Sequence, residues 1–230
     1  MKKKLLHIAI DGQSASGKDT VGAILAKQLG CFFIESGAMY RAAAWLVREQ
    51  QGDFSDSDQV YRIVSKANFE IRNTEKDDRI IPQVRVNGTD IEPFIRSKDI
   101  DRLSSLVASQ PKVRKYLIRL KKQIARTHSR LIMTGRGIGR TVLPRADIKV
   151  YLTASLSERA RRRAAQYQRM GKPVDIDAIA AELAERDAMN KNRSFDPDVP
   201  AEGSVSIDTT NLALVQVCQE INKQYQEMFE

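Results

Sequence analysis

Apolar positions in this chain fall into short runs and helical stripes that alternate along its length. Residues 5–10 form a run rich in β-formers, and after a loop of Gly and Ser the residues Val21, Ile24, Leu25 and Leu29 recur at the spacing of one helix face. Residues 31–34 repeat the strand signal. A helix over about 38–49 then places Met39, Ala43, Leu46 and Val47 on one side. A strand–helix–strand–helix opening predicts a parallel sheet. Three more short apolar runs, 131–133, 148–152 and 205–207, bring the expected strands to five. The fold class expected is therefore α/β, a five-stranded parallel sheet with helices on both faces.

The middle of the chain breaks this rhythm. Residues 69–72 and 83–86 alternate apolar and polar, and the second run ends at Asn87-Gly88, a hairpin signal, so a small antiparallel insertion is expected over about 66–95. Helices are expected over 98–108 and 111–127, the latter with Pro111 in its first turn, where a missing N–H costs little. Further helices are expected over 157–170, over 176–190, and from 212 to the C-terminus. The most polar stretch, 50–59, reads as a short loop. With 230 residues, 42% of them hydrophobic, the chain suits one domain (1–230) with a small appended subdomain.

Charge narrows the partners. Lys and Arg total 38 against 29 Asp and Glu, a formal net charge of +9, which points to anionic ligands: nucleotides, nucleic acid or an acidic surface. No interleaving of aromatic and basic residues, zinc spacing or recognition-helix signature supports nucleic acid. Cys31 and Cys218 are far apart in apolar surroundings and read as buried free thiols. The basic start Met1-Lys2-Lys3-Lys4 precedes an apolar run that stops at Asp11, which fits neither a signal peptide nor a membrane helix. A cytoplasmic monomer without membrane contact is expected. His7 and His128 lack metal partners at useful spacing, and Asp175 and Asp177 suit a helix N-terminus.

The chemistry is concentrated first in Gly12-Gln13-Ser14-Ala15-Ser16-Gly17-Lys18, which has the Walker A spacing and lies between a predicted strand and helix. Its glycines let the chain wrap an anion, backbone N–H groups and the helix N-terminus point at phosphates, and Lys18 adds a mobile charge. The motif normally continues with Ser or Thr to place a hydroxyl on Mg²⁺. Here Asp19 comes first and then Thr20, so either Thr20 supplies the hydroxyl one position on or Asp19 approaches the metal as a carboxylate.

Further motifs keep a fixed order: Ser36-Gly37-Ala38-Met39-Tyr40-Arg41, Gly135-Arg136, Glu158-Arg159-Ala160 with Arg162-Arg163, and Glu185-Arg186-Asp187 with Asn192-Arg193. With the phosphate loop, this set resembles the bacterial cytidylate kinases over about residues 5–215. The resemblance implies phosphoryl transfer from ATP, with Mg²⁺, to CMP or dCMP. It implies that Arg41, Arg136, Arg186 and Arg193 hold acceptor or transferring phosphates, and that Arg159, Arg162 and Arg163 belong to a helical lid over about 155–172. Ser36, Tyr40, Arg96, Ser105 and Arg114 match the acceptor side, within a binding region spanning about 37–115. A guanidinium suits these tasks because it is planar, bidentate and always charged.

Three carboxylates that the resemblance leads one to expect are replaced by neutral residues. The acid that would accept from the cytosine amino group is Gly137, the acid before that loop is Thr134, and the acid at the sugar hydroxyls is Asn190. Asn190 still offers hydrogen bonds; Gly137 offers no side chain. Three readings remain: a cytidylate kinase with a rearranged acceptor pocket, a kinase for another nucleoside monophosphate or nucleotide-like phosphate, and a nucleotide-binding relative with little catalysis.

Overall fold

A computed structural model describes residues 5–229; the basic run Met1–Lys4 and Glu230 lie outside the described residues. The chain runs β1 (Leu6–Gly12), α1 (Lys18–Gln28), β2 (Phe32–Glu35), α2 (Ser36–Glu49), α3 (Ser57–Ser65), β3 (Phe69–Lys76), β4 (Arg79–Val86) and β5 (Thr89–Asp90). It continues with α4 (Lys98–Ser109), α5 (Pro111–Thr127), β6 (Arg130–Gly135), a π-helical turn (Ile138–Val142), β7 (Ile148–Thr153), α6 (Leu156–Arg169), α7 (Ile176–Lys191), β8 (Val205–Asp208) and α8 (Leu214–Phe229).

The main sheet has the order β2-β6-β1-β7-β8, and its pairings are all parallel. β1 is central, with Asp11 opposite Gly135 on one side and Tyr151 on the other. Alternation along β1 feeds two cores. Ile8 and Ile10 pack with Leu25 of α1 and Val217, Cys218 and Ile221 of α8, while Ala9 faces Ile118 and Ala125 of α5 and Ile138 of the π-helical turn. Both cysteines are buried and free, as the sequence implied. The carboxyl ends of the parallel strands share one edge, where ligand crevices form in open α/β sheets.

The antiparallel sheet has the order β3-β4-β5, and two details differ from the sequence expectation. The main hairpin turns at Asp77 and Asp78, both with positive φ (48° and 57°), as a two-residue turn between twisted strands requires. Asn87-Gly88 instead joins β4 to the two-residue β5. The stretch 50–59 is not wholly loop: α3 begins inside it, because the Asp56 carboxylate accepts from the N–H groups of Asp58 and Gln59 at 2.9 Å, and Val60 and Val64 reach the core. Asp175 caps α7 through the Ala178 N–H at 3.0 Å. No helix among the described residues is long and apolar enough to cross a membrane.

Candidate active site

The phosphate loop is built from backbone constraints. Gly12 leaves β1 at φ 149°, against the neighbouring strand; a Cβ there would overlap the Leu152 carbonyl oxygen. Ala15 and Gly17 both adopt positive φ, which turns successive N–H groups toward a common hollow. No side chain caps α1, so its first amides remain available to an anion. Lys18 folds back over the loop, with Nζ 3.4 Å from the Gln13 carbonyl oxygen and 3.3 Å from the Asp19 carboxylate. Arg136 donates to the Ser14 hydroxyl.

Asp19 also accepts from the Thr134 hydroxyl at 2.6 Å. The neutral Thr134 thus stands beside a carboxylate that the first turn of α1 supplies. Asp11 does not serve this corner. Its two oxygens accept from the N–H groups of Ile138 and Gly139 at 2.7 and 2.8 Å, and so fix the π-helical turn. Burial pushes the Asp11 carboxyl up to about 6 against the pull of those two hydrogen bonds.

Glu35, at the end of β2, organises the other side of the site. Arg41 donates to its Oε1, and Arg96 lies 3.4 Å from its Oε2 while also pairing with Glu92. Burial pushes the Glu35 carboxyl up, but the guanidinium charges of Arg41 and Arg96 outweigh it and hold the group at about 2. Nearby, the buried Lys121 donates to the Ser36 hydroxyl at 2.9 Å and sits 4.9 Å from the Tyr40 ring centroid. Burial pushes the Lys121 ammonium down. Arg114 is likewise buried; it donates to Asp196 and approaches the Tyr40 hydroxyl at 3.4 Å. Ser105 donates only to the Asp101 carbonyl oxygen, at 3.3 Å.

Arg186 and Arg193 stand apart from carboxylates. Arg186 makes no side-chain hydrogen bond or ion pair among the described residues; burial, then repulsion from Arg136, pushes it down to about 9. Arg193 donates to the neutral Asn190, and burial with repulsion from Arg114 and Arg136 pushes it down to about 10. Guanidiniums keep their protons in proteins, so these shifts reflect burial first and crowding of like charge second, both of which favour a bound anion. Arg41, Arg114 and Arg136 also carry a buried Nε without a hydrogen bond, and Asn190 an unpartnered Nδ2.

The α6 arginines divide by direction. Arg159 turns inward: Nη1 pairs with Asp187 of α7 at 2.6 Å and lies 3.4 Å from the Ser14 carbonyl oxygen, while Nε holds the Ala154 carbonyl oxygen at 3.0 Å. It is a buried strut under the phosphate loop, and it does not line the cleft. Arg162 bridges Glu158, at 2.8 Å, to the Ser16 carbonyl oxygen and Thr209. Arg163 bonds Gln166 and lies over Tyr167.

A cleft of about 880 Å³ joins these parts. Its wall includes Ser14, Ala15, Gly17, Lys18, Asp19 and Thr20 from the loop region, and Ser36, Tyr40, Arg41, Arg96, Ser105 and Arg114 opposite. Arg136, Arg162, Arg163, Arg186 and Arg193 also line it, and arginines far outnumber carboxylates. Gly12, Gln13, Ser16, Gly137 and Asn190 are not part of this wall. Sequence reasoning passed over Glu35, Lys121, Asp196 and Asp198. Lys121 had a signal, since it occupies the buried stripe Val113, Leu117, Lys121, Ala125 at four-residue spacing. Asp196 and Asp198 had none, because their partners Arg114 and Arg136 are remote in sequence.

Residues 8–227 match the family model described as Cytidylate kinase. Curated relatives named cytidylate kinase include that of Oceanobacillus iheyensis, 36% identical over 216 residues, covering 94% of this chain and 92% of the relative. That of Streptococcus gordonii is 35% identical over 227 residues, covering 99% of each. Among solved structures, shikimate kinase from Acinetobacter baumannii aligns with a TM-score of 0.48 at 17% identity, over 99% of this chain and 96% of that one, too distant to bear on any residue. On the family match and the identity to full-length relatives, this chain belongs to the cytidylate kinase family.

Proposed function

We propose that the chain transfers the γ-phosphoryl group of ATP to CMP or dCMP, giving ADP and the corresponding diphosphate. The observation that carries this reading is the shared cleft. A phosphate loop with Lys18 faces Arg41, Arg136, Arg186 and Arg193, and the last two have no carboxylate to neutralise them. Phosphoryl transfer asks for two phosphates held in line and for donors aimed at the charge spread over the moving group. The loop and Lys18 suit the β- and γ-phosphates of ATP, and the arginines suit the acceptor phosphate and the group in flight.

Residues 37–115, with the antiparallel insertion over 66–95, form the acceptor-binding region in this reading. The segment 155–172 is the lid, in which Arg162 and Arg163 face ATP while Arg159 holds the helix to the loop. Thr20 and Asp19 would hold Mg²⁺. Both line the cleft, Asp19 is a half-exposed oxygen donor, and the Thr20 hydroxyl has no protein hydrogen bond among the described residues. Mg²⁺ takes one or two such oxygens and completes its shell with water and substrate phosphates. When bound, it supplies positive charge to the β- and γ-phosphate oxygens.

The test is an ADP-release assay with ATP and Mg²⁺ across CMP, dCMP, UMP, dTMP, AMP and GMP, with a control lacking acceptor. Preference for CMP and dCMP is expected. Preference for another acceptor would refute the base assignment, and silence with all six would refute the activity.

A further inference from the structure

Gly137, in the left-handed region at φ 77°, leaves a space that another part of the chain fills. A Cβ on Gly137 would lie 2.7 Å from Oδ2 and 2.8 Å from Cγ of Asp196, which arrives from the loop after α7. The carboxylate that position 137 lacks is therefore present in nearly the same volume, delivered from 59 residues downstream.

We infer that Asp196 is the residue that reads the exocyclic amino group of the acceptor base, and so sets cytosine over uracil; the inference rests on the phosphoryl-transfer reading above. Asp196 is held in place on three sides. Oδ1 accepts from Arg140 at 2.8 Å and from the Thr141 hydroxyl, and Oδ2 accepts from Arg114. Oδ2 has this single hydrogen bond, so it keeps a lone pair for another donor.

Arg114 supplies the rest of the pattern. It lines the cleft, its residue is 4% exposed, its Nε is buried without a partner, and its guanidinium lies 5.7 Å from the Tyr40 ring centroid. Side by side, Arg114 and Asp196 present N–H donors followed by a carboxylate acceptor. That sequence complements the edge of cytosine, where O2 and N3 accept and the amino group donates. Uracil would set its N3–H against a donor and its O4 against the carboxylate, leaving two buried polar groups mismatched. Asp196 is not part of the cleft wall but lies directly behind Arg114, which is, and the pair acts as one reading unit.

The test compares kcat/KM for CMP and UMP in the wild type, D196N, D196A and the double variant G137D/D196A. D196N keeps the shape but turns an acceptor into a donor; its CMP/UMP ratio is expected to fall by about 10- to 100-fold. Aspartate tolerates positive φ better than most residues, so G137D/D196A returns a carboxylate to the same volume from the other side. Its ratio is expected to exceed that of D196A at least tenfold. Melting temperatures show whether each variant folds. The wild type is also assayed with the 2-pyrimidinone analogue of CMP, which lacks only the amino group, and a loss of about tenfold or more is expected. An unchanged ratio in folded D196N, or equal use of CMP and the analogue by the wild type, would overturn the inference alone. A wild type inactive on CMP would overturn the phosphoryl-transfer reading with it.

Discussion

In the proposed reading Lys18 meets phosphate, and it has few other contacts, since its ammonium is near one carbonyl oxygen and one half-exposed carboxylate. Lys18→Ala should lower kcat by about 100- to 1,000-fold, the loss of a preorganised charge at the transferring group, while the melting temperature stays within a few degrees. Near-normal turnover would reject the loop assignment. Lys121 is the opposite case, a buried cation whose nearest polar partner is the Ser36 hydroxyl. Replacing a buried charge by an apolar side chain of similar volume is often neutral or stabilising. Lys121→Met should therefore keep or raise the melting temperature, yet raise KM for the acceptor, as Ser36 and Tyr40 lose their anchor. An unchanged acceptor KM would make Lys121 a packing residue only. Glu35 sets a pH limit. Its carboxyl is held below its unfolded value near 4.5, so its stabilisation is complete above that value and is lost as pH falls toward about 2. Urea melts of wild type and Glu35→Gln between pH 6 and 2.5 should converge as pH falls; parallel curves would contradict this.

At the scale of elements, the sheet was legible because β1, β6 and β7 are apolar runs buried almost throughout, and nothing local competes with that signal, although the edge strand β8 is largely exposed. The hairpin was misplaced because Asp77-Asp78 adopts positive φ without glycine, while the more conspicuous Asn87-Gly88 marks a minor turn. α3 was hidden by its polar cap and first turn. In α6, the sequence shows a basic cluster but not which arginine turns inward; that depends on Asp187, across on α7. The site was legible where residues sit in contiguous motifs, as in the phosphate loop, and illegible where distant segments pair their charges, as at Arg114 and Asp196. A strut role for Arg159 predicts that Arg159→Ala, which strands the Asp187 carboxylate, destabilises the protein by about 3 kcal/mol. Hydrogen exchange should quicken in α6 and α7 before the main sheet. Exchange confined to the sheet would contradict the strut.

Over the whole molecule, the formal net charge of +9 is gathered where it can act, around one cleft at the carboxyl ends of the parallel strands. Arginines packed there repel one another, and carboxylates at Glu35, Asp187, Asp196 and Asp198 hold part of the set in place. Arg186 and Arg193 have no carboxylate partner among the described residues, and in the proposed reading they meet ligand phosphates. The central claim is that this cleft moves a phosphoryl group between two nucleotides and does not merely hydrolyse ATP. The most direct measurement is a ³¹P NMR time course with the protein, ATP, Mg²⁺ and CMP. The account predicts CDP and ADP appearing in equal amounts with no inorganic phosphate; phosphate release without CDP would contradict it.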